Sequence, residues 1–161
     1  MHNLQDSALG GFAHEITTEM TLPAPLPTVW QAITDFAAYS RWNPFITEIQ
    51  GEPTTGARLR ITLQQPNGTS PMRFSPRILL CEREQELTWQ GRFLLPGILT
   101  GVHSFRLEHD SDGQTHLVHR EVFTGILVPF FKRAMAESTR TGFELMNDAL
   151  AQEVQRRCQQ Q

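Results

Sequence analysis

From His14 to Leu22 the chain alternates, with Ile16, Thr18, Met20 and Leu22 on one side and Glu15, Thr17, Glu19 and Thr21 on the other. A period of two is that of a strand with one buried face, and Pro23 ends it. The period then changes. Val29, Ile33 and Phe36 recur at helical spacing behind Pro27, a residue suited to a first helical turn because its missing N–H has no bond to make there. Asp35 is placed to cap a second short helix carrying Tyr39 and Trp42, and Asn43 before Pro44 sends the chain out extended. Extended stretches follow at residues 45–50, 57–64, 72–82 and 86–93, separated by turn signals at Gly51 to Pro53, Pro66 to Gly68 and Glu84 to Gln85. They predict an antiparallel meander in which Pro71 and Pro76 put the 72–82 strand at an edge or on a bulge.

The last two strands constrain each other. On Gly101 to Leu107 the odd positions Gly101, His103, Phe105 and Leu107 share a face, as do Leu117, His119, Glu121 and Phe123 on the next strand. A two-residue turn at Asp112 and Gly113 would set odd positions against even ones and mismatch the two aromatic faces. A three-residue loop, Ser111 to Gly113 with Gly113 left-handed, pairs Asp110 with Gln114 and restores the match. His103 then lies opposite Glu121, and Phe105 opposite His119. Directly opposed residues sit roughly 5 Å apart, so three ionisable groups gather on one apolar face.

Phe93 to Leu99, a run with little polarity between two strands, reads as a flap over an entrance, more mobile at Pro96 to Leu99 than the strands it joins. From Pro129 a long helix carries Phe131, Ala134, Met135, Ser138, Gly142, Leu145, Met146 and Ala149 at three- and four-residue spacing. Gly142 inside that stripe makes room for a sheet side chain or for a ligand. Lys132, Arg133, Arg140, Arg156 and Arg157 are expected on the solvated face.

Composition fits one domain: 161 residues, 39% hydrophobic, enough for a substantial core and too few for two ordinary ones. Residues 1–12 are polar and aperiodic and read as a flexible leader, with a single ligand-binding domain over 13–158. The 14 basic and 17 acidic residues are mixed along the chain, so no basic footprint for nucleic acid or an anionic membrane is visible, and nucleic acid is not an expected partner. Cys81 and Cys158 fit no metal spacing, and Cys158 falls in a tail expected to fray, which favours a reducing compartment over a disulfide. No charged-then-apolar segment stands near Met1, and no apolar run approaches the ~20 residues of a membrane span. A soluble cytoplasmic protein without membrane insertion, monomeric or homodimeric, is expected.

Several blocks together resemble a known family: Pro25 to Trp30, Asp35 to Pro44, Trp89 to Gly91, Pro96 and Gly97, Gly101 to Leu107, and His119 to Pro129. Their order and spacing are similar to the START-like or SRPBCC superfamily (polyketide cyclase/dehydrase and lipid transport), from about His14 to about Val154. The resemblance implies an α+β helix-grip fold, a curved antiparallel sheet wrapped around a long C-terminal helix, with two short helices after the first strand and a ligand cavity inside. It implies no single activity, since members include carriers and cyclases.

Within that frame a small hydrophobic or aromatic, lipid- or polyketide-like ligand is expected, lined by Trp42, Phe74, Trp89, Phe93, His103, Phe105, His119, Glu121, Phe123, Phe131 and Met135. His103, His119 and Glu121 have two readings. As candidate catalytic groups they would move protons in a cyclase or dehydratase, with Glu121 tuning His103. As a paired polar cluster they would anchor a ligand, Glu121 supporting a protonated His103, so that Glu121→Gln weakens binding. Two histidines and a carboxylate suit zinc or iron by donor type, yet adjacent strands give no helical His-Glu motif, and neither a metal nor another cofactor is expected. A further alternative is a protein-interaction module that works through the outer face of the sheet.

Overall fold

The alternating stretch after residue 12 becomes a central strand. The computed structural model describes residues 3–7, 11–66, 68, 70–93, 95–110 and 113–160 and places β1 at Asn3–Ser7 and β2 at Ala13–Leu22. The flexible leader is thus corrected in part: five of its residues form an edge strand, because β2 offers a free backbone ladder and pairing needs no apolar pattern. On its other side β2 meets β9 (Thr115–Thr124), followed by β8 (Leu99–His109), β7 (Glu86–Phe93) and β6 (Arg77–Glu82) in a six-stranded antiparallel sheet.

A second sheet holds β3 (Ile46–Gln50), β4 (Arg60–Leu63) and β5 (Met72–Phe74). The single strand expected over 72–82 is therefore two strands in two sheets, divided at Ser75 and Pro76. Pro76 has no N–H to give a ladder, but its carbonyl accepts from the Leu59 amide, and an Arg58–Arg77 bridge joins the sheets there. As the prolines predicted, β6 is an edge strand and its register slips between Ile78 and Leu80.

Helix α1 (Leu26–Thr34) buries Thr28, Val29, Ala32 and Ile33. A 3-10 turn (Phe36–Ala38) and α2 (Tyr39–Trp42) complete the elbow, locked by the Tyr39 hydroxyl donating to the Ile33 carbonyl at 2.7 Å. Asp35 does not cap the second helix; its carboxylate accepts from Arg157 instead. Asn43 is extended, as the following proline requires, and its Oδ1 accepts from the amides of Phe45 and Ile46.

Helix α3 (Val128–Cys158) extends through Cys158, so the tail expected to fray is helical. Its two halves differ. Phe143, Met146, Asn147, Leu150 and Val154 are buried against the sheet and elbow, whereas Phe130 and Phe131 near its start are exposed. Arg157 is also not on a solvated face: its side chain is 11% exposed and grips Glu153 and Asp35. The sheet grips the second half of the helix, and the space described next lies under the first half. Among the described residues no helix is long and apolar enough to cross a membrane.

Candidate ligand cavity and its buried hydrogen-bond chain

The β8–β9 register is the one that parity requires: His103 opposes Glu121, Phe105 opposes His119, and the Asp110 amide donates to the Gln114 carbonyl. Gly113 is left-handed (φ +72°), while Ser111 and Asp112, the rest of the expected loop, lie outside the described residues. Gly101 pairs with Gly91 on β7 and with Phe123 on β9. These two glycines leave bare backbone where side chains would otherwise rise into the concave face. A Cβ on Gly101 would stand 2.5 Å from Glu121 Oε1, and one on Gly91 would stand 3.2 Å from the Phe74 ring.

Above this floor is a cavity of about 320 Å³. Phe74, Trp89, Phe93, His103, Glu121, Phe123 and Met135, all expected, line it. Four expected residues do not. Phe105 and His119 are fully buried behind His103, Phe131 is 51% exposed near the start of α3, and Trp42 lines a separate polar groove of about 710 Å³. That groove lies outside the elbow, among Asp35, Glu153, Arg156 and Arg157, whose charges already pair with one another. Sequence reading missed Gln65 and Thr139 and had Ser138 on the inner stripe of α3 without counting it as lining; the three bring polarity to the cavity wall and include a Ser138 to Gln65 hydrogen bond from α3 to the segment after β4. It also missed Phe45, which fills the space left by Gly142: a Cβ there would stand 2.2 Å from the ring.

The flap connects through its backbone to the start of α3. The amides of Ile126 and Leu127 donate to the carbonyls of Gly97 and Ile98. Phe93 and Leu99 at its two ends face the cavity, and Leu99 already belongs to β8.

Behind the cavity wall runs a chain of buried polar groups. Glu121 Oε2 lies 2.7 Å from His103 Nδ1, His103 Nε2 lies 3.0 Å from His119 Nε2, and His119 Nδ1 lies 2.8 Å from Asn147 Oδ1. Asn147 Nδ2 donates to Thr18 Oγ1 at 2.8 Å, and the Thr18 hydroxyl turns back to the His119 carbonyl at 3.5 Å. Aromatic faces seal it: Phe143 stacks on His119 with centroids 3.6 Å apart, and Trp89 stacks on His103 at 4.6 Å.

The direction of each bond follows from the chemistry of its ends. Asn147 Oδ1 only accepts, so His119 Nδ1 carries a proton and, in a neutral ring, its Nε2 is bare. His103 Nε2 must then donate, which leaves His103 Nδ1 bare and makes Glu121 Oε2 the donor. A second proton on His103 would place a cation in this apolar setting. Burial opposes that, holding His103 down at about 3 and pushing Glu121 up to about 8. His119 is held well below its ordinary range, first by burial and then by His103. Burial of both groups favours a neutral carboxylic acid on a neutral imidazole over the expected ion pair of a protonated His103 with a Glu121 carboxylate. Glu121 Oε1, with no partner among the described residues, faces the cavity.

The sequence profile of the family "Polyketide cyclase / dehydrase and lipid transport" matches residues 13–155. The chain belongs to this family. Its fold is shared by CalU16 from Micromonospora echinospora (TM-score 0.67, 24% identity, covering 96% of this chain and 85% of that one). It is shared too by the Zhui aromatase/cyclase from Streptomyces sp. R1128 (0.73, 17%, 91% and 96%). The di-domain ARO/CYC StfQ of the steffimycin pathway matches at 0.75 and 8% identity, over 92% of this chain and 53% of that one. No curated protein matches the sequence. At these identities the structural matches carry the helix-grip architecture, and the cavity residues have to be read on their own.

Proposed function

We propose that this protein binds a small, flat, apolar molecule, polyketide-like or lipid-like, between the sheet and α3, with a polar atom of that molecule against Glu121 Oε1. One observation carries the reading: a carboxyl oxygen opens into a space of about 320 Å³ otherwise walled mainly by aromatic and aliphatic side chains. Apolar walls with a few placed polar groups are the usual composition of a small-molecule site. The missing side chains at Gly91 and Gly101 give room to Phe74, Phe93, Glu121 and Phe123, so that three aromatic rings and one carboxyl border the same space. A module acting through the outside of the sheet needs no such space, so the cavity favours ligand binding over that alternative.

A second reading is a cyclase or dehydratase activity on a polyketide-like substrate. It is supported by the aromatase/cyclase among the structural neighbours and by a neutral acid bordering the cavity. Glu121 would exchange the proton and His103 would support it; His119, behind the wall, would not touch substrate. Native mass spectrometry of protein purified from its own host tests the binding reading: a retained small molecule is expected, and its loss in Gly101→Val, which fills the floor, would locate it. Turnover of that molecule by Glu121→Gln separates the two readings. A fall of 10²- to 10⁴-fold with binding intact assigns catalysis, and no turnover by either form assigns carriage.

A further inference from the structure

The buried chain ends blind. Among the described residues the only continuation beyond Asn147 is the Thr18 hydroxyl, and that turns back to the backbone carbonyl of His119, so no proton leaves by the far end. Its open end is Glu121, at the cavity. At the blind end the Thr18 hydroxyl accepts from Asn147 Nδ2 while it donates to the His119 carbonyl, and that arrangement biases the polarity of the whole string. We infer that Asn147 and Thr18, neither of which touches the cavity, are positioning residues that keep Glu121 protonated on Oε2 and its Oε1 a bare acceptor, so the site selects ligands presenting a neutral hydroxyl or N–H over those presenting an anion.

Each link is constrained. Asn147 cannot turn its amide without facing Nδ2 toward the Nδ1–H of His119 and Oδ1 toward a hydroxyl that must then rotate. Reversal therefore has to run through the whole chain at once: Thr18 donating to Asn147, Asn147 to His119, His119 to His103, and His103 to a Glu121 carboxylate. Among the described residues that line the cavity or flank Glu121 in the sheet, none but Glu121 and His103 can carry a charge to drive it. Glu121 is flanked by Ile16 across β2, by Gly101 and His103 on β8, and by Phe123 on its own strand. From α3 only Met135, Ser138 and Thr139 face the cavity, and the next titratable group on the inner face of β2 is His14, opposite Phe123. An anionic ligand atom against Oε1 would meet a carbonyl-like oxygen, with the acid's proton committed to His103.

This inference rests on the cavity reading for its ligand half only; the chain's polarity is a property of the ligand-free protein. Two measurements therefore decide it separately. In ligand-free protein, ¹⁵N spectra of the imidazoles at pH 7 should show His119 protonated on Nδ1 and His103 on Nε2, with the Glu121 carboxyl carbon in its protonated range. Thr18→Val, which keeps the shape of the side chain and removes the anchor, should let the Glu121 carboxyl ionise at lower pH than in wild type. Asn147→Leu should do the same with a larger shift. His119 protonated on Nε2, an ionised Glu121 at pH 7, or no movement in both variants would overturn the inference.

For the ligand half, Glu121→Gln is the isostere of the neutral acid: its amide N–H can donate to His103 Nδ1 and its carbonyl can take the place of Oε1. Binding is read with naphthalene, 2-naphthol and 2-naphthoate, which share a ring system and differ in the group offered. Wild type should bind 2-naphthol at least tenfold more tightly than 2-naphthoate, and Glu121→Gln should hold 2-naphthol within threefold of wild type. A tenfold loss of 2-naphthol in Glu121→Gln, or a preference for 2-naphthoate, would overturn the selection. Failure of all three to bind, naphthalene included, would sink both the cavity reading and this selection, while the imidazole spectra still decide the chain.

Discussion

Burial pushes the Glu121 carboxyl up to about 8, against about 4.5 for an unfolded glutamate. Across that window the folded state binds the extra proton, so this group makes stability fall as pH rises, and its effect levels off above about 8. His103 and His119 act the opposite way: their folded values lie below 6.5, so they favour folding as pH climbs to that point and add nothing beyond it. From pH 6.5 to 8 Glu121 therefore acts alone among the three, at about 1.4 kcal/mol per pH unit or about 2 kcal/mol in all. Denaturant unfolding should show wild type losing that stability between pH 6.5 and 8 and Glu121→Gln losing almost none. An equal loss in both would mean the carboxyl is already ionised at pH 6.5. Gly101→Ala tests the same contact sterically. Its Cβ would press on an oxygen whose carboxyl is already held by His103 at 2.7 Å, and overpacking of this kind costs about 1–3 kcal/mol in chemical unfolding. The facing of His103 and Glu121 was legible from parity alone, because a one-residue slip would have inverted two aromatic faces. Asn147 and Thr18 were not, since 129 positions separate them, although each is a polar residue set into an otherwise apolar stripe, the one signal that marks them.

Among the elements, the flap and the start of α3 form one unit because two amides of the latter bond to two carbonyls of the former. Gly125 is the residue that permits this approach. It has φ +133°, and a Cβ there would stand 2.3 Å from the Ile98 carbonyl oxygen. Gly125→Ala should therefore separate flap and helix, lowering the melting temperature by several degrees, since about 2 kcal/mol corresponds to roughly 4–8 °C in a domain of this size. Hydrogen exchange at Ile126 and Leu127 should accelerate in that variant while the amides of β8 and β9 stay protected. Unchanged exchange at those two positions would show that the contact does not hold the flap. Periodicity identified β2, β7 and α3 with nearly their observed limits, because each has a long run with one clear period. It could not divide residues 72–82 between two sheets, since Pro76 signals a break without saying where the chain goes next. Nor could it find β1, whose pairing depends on backbone groups rather than on side-chain pattern.

At the scale of the whole molecule, the fold is tight at one end and open at the other. The second half of α3 is held by buried Phe143, Met146, Leu150 and Val154 and by Arg157 bridging Glu153 to Asp35 of the elbow. The first half covers the cavity with Met135, Ser138 and Thr139 and leaves Phe130 and Phe131 in solvent. Stability in such a molecule is uneven, and the elements with fewer buried contacts open first. A ligand that fills the cavity adds contacts only to the open end. Binding at one hundred times its dissociation constant contributes about 2.7 kcal/mol to global stability, or roughly 5–11 °C in melting temperature. The location of the effect is the sharper prediction. With 2-naphthol bound, exchange should slow at residues 95–99 and 126–139, whereas residues 143–157, already protected by packing, should change little. Protection confined to residues 143–157 would place the ligand in the polar groove beside Arg156 and Arg157 and move the functional site to the other end of the molecule.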